Sequence, residues 1–348
     1  MDLHQLGAGF NDHFHFSHVN SNGFLNDRLK VTGTWSLGQS LNQWTRVLVH
    51  MPDHAGWTNQ ALYTINNGGG QTEQRSLLQR NFANKWVSLG VFQMNGVPSV
   101  SLSNTTYDQA ASGTIDIAWD AVAFEPLAAK PRDFYVALGD SYSSGEGASS
   151  LDGSDFYRAT DHGGFLDPAT SDHINNCHRS TEAWPRKADI DGTFRSVGQR
   201  QDSFDPTLDF QFLACAGAET QHMLPFRGLA NPPTDGSGHV GDHPQNGMLT
   251  QLDSGFLDAN TTLVSLSIGG NDIKFGPIVH RRCYDACAVQ CCTDLAIGRH
   301  RRGGGSHEES SAERGPDLSC DHPDRNPQEG SEREDRPHGI PGAVPIRI

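Results

Sequence analysis

The sequence predicts an all-β domain followed by an α/β domain with a parallel sheet. Three observations carry this. Residues 1–127 hold short runs rich in β-branched and aromatic residues, parted by turn signals. From Asp133 onward, apolar runs each end in a loop of small and polar residues, as buried parallel strands do. Between them, Ala128-Ala129-Lys130-Pro131-Arg132-Asp133 reads as a linker over 128–133.

In the first domain the expected strands are 46–53, 61–67, 85–94, 99–104 and 114–127. The turns are the Asn-Asn-Gly-Gly-Gly of 66–70, Asn95-Gly96 and the polar stretch 104–113. Alternation places Ile115, Ile117, Trp119, Ala121 and Ala123 on one face, and Val87, Leu89 and Val91 on another. Short strands at this spacing predict a β-sandwich or jelly roll. The second domain, 134–298, repeats one plan three times: DFYVALGDS at 133–141, TLDFQFLACAGAET at 207–220 and TTLVSLSIGGND at 261–272. Ligands of parallel sheets sit at the carboxyl ends of the strands, so these three loops are expected to converge on one crevice. Residues 299–348 differ again, with only Ala312, Leu318 and Cys320 hydrophobic within 299–339. Such a composition does not offset its ordering entropy and predicts a disordered tail. The change is abrupt and falls inside an expected α/β unit, as a truncation or a shifted reading frame would produce.

Composition narrows the function. Lys plus Arg is 26 and Asp plus Glu is 41, a net charge of −15 over 348 residues. That balance argues against nucleic acid and against anionic membrane as main partners. No apolar run approaches the length of a transmembrane helix. The first residues, MDLHQLGAGFNDHFHF, lack a basic and an apolar region, so no signal peptide is expected within the chain.

The candidate chemistry lies on the three loops. Ser141, in Gly139-Asp140-Ser141-Tyr142-Ser143-Ser144-Gly145-Glu146-Gly147, can present its hydroxyl after a buried strand. Gly217, in Ala214-Cys215-Ala216-Gly217-Ala218, lets a backbone N–H approach a reacting atom. Asn271, in Gly269-Gly270-Asn271-Asp272, can donate to an oxyanion. Each loop alone is equally an ordinary turn; together they form a nucleophile with an oxyanion hole.

At these motifs the chain resembles the SGNH (GDSL-type) hydrolases, and its surroundings resemble their secreted actinobacterial esterase and lipase branch. GDSYSSGEG, Cys177-His178-Arg179-Ser180, Trp184-Pro185, Ala-Cys-Ala-Gly-Ala, LSIGGND and Cys283 carry the likeness. Residues 1–127 resemble the golvesin C-terminal-like β-sandwich, through WTRVLVHMPDHAGWTNQALYTI and DIAWDAVAF. The resemblance implies a three-layer, flavodoxin-like α/β hydrolase that is incomplete here, preceded by the β-sandwich. It implies ester hydrolysis by Ser141, with Gly217 and Asn271 as oxyanion donors, on a small-molecule or lipid ester. It implies no cofactor and an extracellular location. Its late Asp-x-x-His finds a literal match in Asp335 and His338, although a second match at Asp12 and His15 shows how readily the pattern arises by chance. A polymer- or carbohydrate-binding protein carrying a hydrolase remnant is the alternative.

The seven cysteines are Cys177, Cys215, Cys283, Cys287, Cys291, Cys292 and Cys320. The resemblance implies disulfides Cys177–Cys215 and Cys283 with Cys291 or Cys292; free thiols, or a zinc site on the second group, are the alternatives. His13, His15 and His18 offer either a metal pair or a solvated strand face. Trp35, Trp44, Trp57, Trp86 and Trp119 offer either sugar stacking or core packing.

Overall fold

In a computed structural model of the chain, the described residues form seventeen strands, four short α-helices and one 3-10 turn at Phe10–Asp12. The structure describes residues 4–21, 29–52, 58–79, 84–106, 115–148, 155–157, 160, 175–225, 247–275, 343–344 and 346–347. The strands are β1 (His4–Leu6), β2 (Phe14–His18), β3 (Asn20–Ser21), β4 (Thr32–Ser36), β5 (Trp44–Met51), β6 (Ala61–Asn66), β7 (Thr72–Leu77), β8 (Lys85–Gln93) and β9 (Ser99–Ser103). They continue with β10 (Thr105–Thr106), β11 (Asp116–Trp119), β12 (Val122–Pro126), β13 (Asp133–Gly139), β14 (Leu208–Phe212), β15 (Leu263–Ser267), β16 (Ala343–Val344) and β17 (Ile346–Arg347). The helices are α1 (Ser141–Ser144), α2 (Trp184–Lys187), α3 (Val197–Asp202) and α4 (Thr220–Met223).

Two antiparallel sheets, ordered β16-β12-β5-β8 and β17-β4-β9-β6-β7, face each other over one core. Trp35, Val47, Val49, Tyr63, Ile65, Leu89, Val100, Leu102, Trp119 and Phe124 fill it. A third antiparallel sheet, β1-β2-β11, adjoins them. Two expectations of strand face fail for local reasons. The expected strand 114–127 is two strands: β11 pairs with β2, and β12 pairs with β5. The chain changes sheet at Asp120–Ala121, where the Asp120 carboxylate accepts from Phe10 N–H and binds His50 Nδ1 at 2.6 Å. The break moves the core face from Trp119 to Val122 and Phe124. In β8 a bulge at Gly90 (φ 117°) shifts the register against β5, so Leu89 and Phe92 enter the core while Val91 turns to the opposite face. β7 (TEQRSL) escaped the sequence pattern because it is a polar edge strand.

The expected three-layer, flavodoxin-like fold is corrected. The chain is mostly antiparallel β, and its only parallel sheet of more than two strands among the described residues is β14-β13-β15. No described helix exceeds six residues, so among the described residues no helical layer covers the faces of that sheet. The physical reason is local. The connections between these strands carry Gly, Pro and polar residues in place of an apolar stripe at helical spacing, and α1 stops at Gly145 in the left-handed region (φ 104°). Apolar strands ending in small polar loops identify parallel strands but not the layers around them. Residues 343–344 and 346–347, from the stretch expected as tail, form β16 and β17 against β12 and β4.

The parallel sheet is fastened to the antiparallel ones by polar groups. Arg46, on β5 and 3% exposed, donates to the carbonyl oxygens of Phe204, Asp205 and Leu208 and to the Glu125 carboxylate. The bulge in β8 aims Val91 N–H at the buried Asp209 carboxylate of β14 (2.9 Å). Desolvation pushes Asp209 above its ordinary range despite that bond and one from Gln211. The predicted linker is packed: Lys130 lies over the rings of Trp44 and Phe134, and Leu127 N–H donates to Trp44 O. Residues 4–274 with the C-terminal strands form one compact unit.

Arg200 of α3, 1% exposed, holds the start of the parallel sheet. It reaches Asp133 (2.7 Å), Asp205 and Asp191 (both 3.2 Å). Desolvation pushes Asp133 and Asp205 up, but it is outweighed: by Arg132 and Arg200 at Asp133, and by Thr207 and Arg200 at Asp205. Both carboxyls therefore titrate below their ordinary range. Their stabilisation is complete above the unfolded carboxylate range, about pH 4, and is lost as pH falls through the lowered folded values. Arg200→Met is expected to cost about 2 kcal/mol at pH 7, because the partly buried Asp133, Asp191 and Asp205 lose a charged donor and keep only the more exposed Arg132 and Arg195. Urea denaturation at pH 7 and pH 3 checks this: the gap between wild type and variant narrows at pH 3.

Candidate active site

The nucleophile candidate stands where β13 must turn sharply. Gly139 ends the strand at φ 130°, and a Cβ there would collide with the Ser267 carbonyl oxygen. Only glycine fits both the dihedral and the space. Asp140 caps the helix that follows, its carboxylate accepting from Tyr142 N–H at 3.1 Å. Ser141 opens α1 and is half-buried, while the neighbouring Ser143 and Ser144 are buried.

The loops after the three parallel strands are bonded to one another. Cys215 N–H donates to Gly139 O at 3.0 Å, joining the second loop to the first. Asp140 N–H donates to Ser267 O, and Ser267 Oγ donates to the Asp140 carboxylate, both at 2.8 Å, joining the first to the third. Asn271 Nδ2 donates to Ala218 O at 2.8 Å, and Thr220 N–H donates to the Asp272 carboxylate at 3.1 Å, joining the third to the second. Ser141, Gly217 and Asn271 are therefore carried by one closed ring of loops at one end of the sheet. Gly217 is exposed, with φ 78°, so its N–H sits in a turn that favours glycine. The Asn271 amide spends one of its two protons on Ala218 and keeps the other.

Asp335 and His338 lie outside the described residues, as do Cys283, Cys287, Cys291, Cys292 and Cys320. Cys177 and Cys215 form a disulfide. Among the described residues no group of three or more metal-ligating side chains occurs. His18 pairs with Asp116, and His13 meets His15 edge to face. Trp35 and Trp119 are buried, their indole N–H groups bonded to Asp120 O and Leu102 O. Trp44 packs on Phe134 and Trp86 on Phe10 and His50; Trp57 is outside the described residues.

Three contributors carried no role in the sequence reading. Gln251, 6% exposed, grips both backbone groups of Gly139: its Oε1 accepts from the N–H (2.8 Å) and its Nε2 donates to the carbonyl (2.7 Å). It lies 112 residues away, and no local pattern marks it. Glu146 pairs with His178, whose ring stacks on Phe156. Arg179 donates to Leu213 O and Ala214 O at the end of β14. Desolvation lowers the Arg179 guanidinium to about 10, which leaves it charged at neutral pH. His178 and Arg179 stood inside the Cys-His-Arg-Ser motif, but their targets are distant in sequence.

Closing a loop between residues 38 apart, the Cys177–Cys215 bond contributes about 4 kcal/mol on the chain-entropy account. Thermal melts with and without reductant, beside a Cys177→Ser, Cys215→Ser double variant, check it. Reduction is expected to lower the melting temperature of wild type to that of the variant.

No protein-family model matches the chain. It is 33% identical over 166 residues to Lipase 1 of Streptomyces coelicolor, covering 48% of this chain and 39% of that protein. It is 33% identical over 141 residues to a lipase of Streptomyces rimosus, covering 40% of this chain and 31% of that one. A solved structure, described as a carbohydrate esterase whose active site displays divergent catalytic and non-catalytic binding functions, aligns with 78% of this chain and 65% of its own at 11% identity. Its TM-score of 0.22 is too low to inform the fold. The chain thus spans less than half the length of the curated relatives it matches, and those relatives are lipases.

Proposed function

We propose that the chain is a serine carboxylester hydrolase of SGNH type. The observation that carries this is the closed ring of loops bearing Ser141, Gly217 and Asn271. The likeness to two lipases agrees with it. In this reading Ser141 Oγ attacks the ester carbonyl carbon while a base takes the hydroxyl proton. The oxyanion is met by the N–H groups of Ser141 and Gly217 and by the remaining proton of Asn271 Nδ2. The C–O bond to the alcohol breaks, the alcohol leaves with a proton, and water then releases the acyl group from Ser141. His338, oriented by Asp335, is the late acid–base candidate of this scheme.

The substrate reading is an ester with an apolar acyl part. Tyr142, Leu224 and Ile273, one on each of the three loop regions, are all more than half exposed. Apolar side chains at the rim suit an acyl chain and are costly to leave wet. We read residues 1–127, 134–298 and 299–348 as separate evolutionary modules, although the described part of the first two packs as one body. An extracellular setting is consistent with the Cys177–Cys215 disulfide.

Hydrolysis of p-nitrophenyl esters tests the reading. Wild type is expected to release p-nitrophenol, Ser141→Ala to release none above background, and Asn271→Ala to lose about 10²–10³ in kcat. His338→Ala should fall nearly as far as Ser141→Ala. Turnover that survives Ser141→Ala, or a folded wild type without turnover, overturns it; the second result favours a binding protein with a hydrolase remnant.

A further inference from the structure

The segment Asn175–Ala183 touches both the nucleophile loop and the second loop, although it belongs to neither. At one end it is bound to the second loop. Cys177 is joined to Cys215 by the disulfide, and Ala216 N–H donates to Cys177 O at 3.0 Å. Arg179 Nε donates to Ala214 O at 2.8 Å and its Nη2 to Leu213 O at 3.1 Å. At the other end it is bound to α1 and the turn that closes it. Ser180 N–H donates to Ser144 O at 2.8 Å, and the His178 ring pairs with the Glu146 carboxylate. Glu146 N–H in turn donates to Ser141 O at 3.0 Å. The approach is close: a Cβ at Gly145 would stand 2.8 Å from Ser180 Cβ and 2.9 Å from Ala183 Cβ.

Arg179 is the centre of this strap. Its own backbone is held, with N–H donating to Thr160 Oγ1 (3.0 Å) and its carbonyl accepting from Tyr157 N–H (2.8 Å). Among the described residues no carboxylate pairs with its guanidinium; its short hydrogen bonds go to the two carbonyls where β14 stops being a strand, and Nη2 also reaches Cys177 Sγ (4.0 Å) and Met248 Sδ (3.9 Å). Beyond Phe212 the chain has left the ladder with β13, and Leu213 and Ala214 N–H groups both converge on Ala137 O. Their carbonyls would otherwise face no strand partner.

We propose that Arg179 is a positioning residue: by clamping Leu213 O and Ala214 O from a strap that also holds α1, it fixes the Gly217 N–H relative to Ser141. The proposal rests on the ester-hydrolase reading for its catalytic consequence, but not for its structural one. A planar guanidinium reaches two carbonyls at once from Nε and Nη2, whereas an ammonium is a single point on a flexible stem, so lysine is an incomplete substitute.

The test uses the full 348-residue chain with Arg179→Met and Arg179→Lys. Three quantities are measured: kcat and KM on p-nitrophenyl butyrate, amide hydrogen exchange by peptide, and melting temperature. Arg179→Met is expected to lower kcat by about 10²-fold, near the loss of one oxyanion donor. KM should stay within about threefold, because the lost interaction is made in the transition state. Exchange at 215–218 should quicken while exchange in β6 and β9 is unchanged. Arg179→Lys should recover part of kcat and of the protection, and it carries the test if the methionine variant does not fold. A fall in melting temperature with kcat per folded molecule and exchange at 215–218 both unchanged would overturn the proposal. If wild type shows no Ser141-dependent turnover, the ester reading fails, and exchange at 215–218 decides the strap alone: quickened only there upholds it, unchanged or quickened everywhere overturns it.

Discussion

Position 139 admits no side chain, and much of the site follows from that. Its φ of 130° turns the backbone out of β13, and the Ser267 carbonyl of the neighbouring strand occupies the space a Cβ would take. Because the two backbones are that close, Asp140 can exchange two hydrogen bonds with Ser267, and the first and third loops become one assembly. Gln251 holds the Gly139 peptide groups that the turn removes from the ladder, and Cys215 N–H takes a place at the same carbonyl. Buried backbone groups at a sharp turn need partners, and here the partners are the other loops.

The second constraint is electrostatic. Among the described residues the three-stranded parallel sheet has only short helices beside it, and its two core clusters are small. The antiparallel sheets supply the missing support through buried charge. Arg46 and Arg75 each reach from an antiparallel strand toward the parallel region, Arg46 to three carbonyls and Arg75 to Asp258 at 2.6 Å. Removing one member of such a set leaves the others desolvated and unpaired, so the polar join is more sensitive to single changes than an apolar one of equal area. Asp209 illustrates the cost: burial raises its carboxyl, and the bonds from Val91 and Gln211 hold it without cancelling the penalty.

Much of the strand inventory was legible. The runs at 61–66, 99–103, 133–139 and 208–212 are short, apolar and bounded by turn residues, and they form strands. That Ser141, Gly217 and Asn271 stand on loops after successive parallel strands was legible, because each follows an apolar run. What failed were faces and layers. The bulge at Gly90 and the sheet change at Asp120 each break alternation, because a slip of one residue reverses every side chain after it. The α/β reading came from the apolar runs and its three layers from the family resemblance, while the connecting segments lack the apolar stripe that would have signalled helices.

By itself the sequence determined where the chain turns and which small and polar residues stand at those turns, because glycine dihedrals, caps and alternation act over a few residues. The Cys177–Cys215 pair was implied by the family resemblance, and the structure forms it. Only the tertiary structure decided that three loops up to 127 residues apart share hydrogen bonds, that Gln251 serves Gly139, and that Arg179 serves Ala214. Those partners are chosen by which strands lie side by side. Strand order depends on burial and register over the whole chain, which no local pattern of residues encodes.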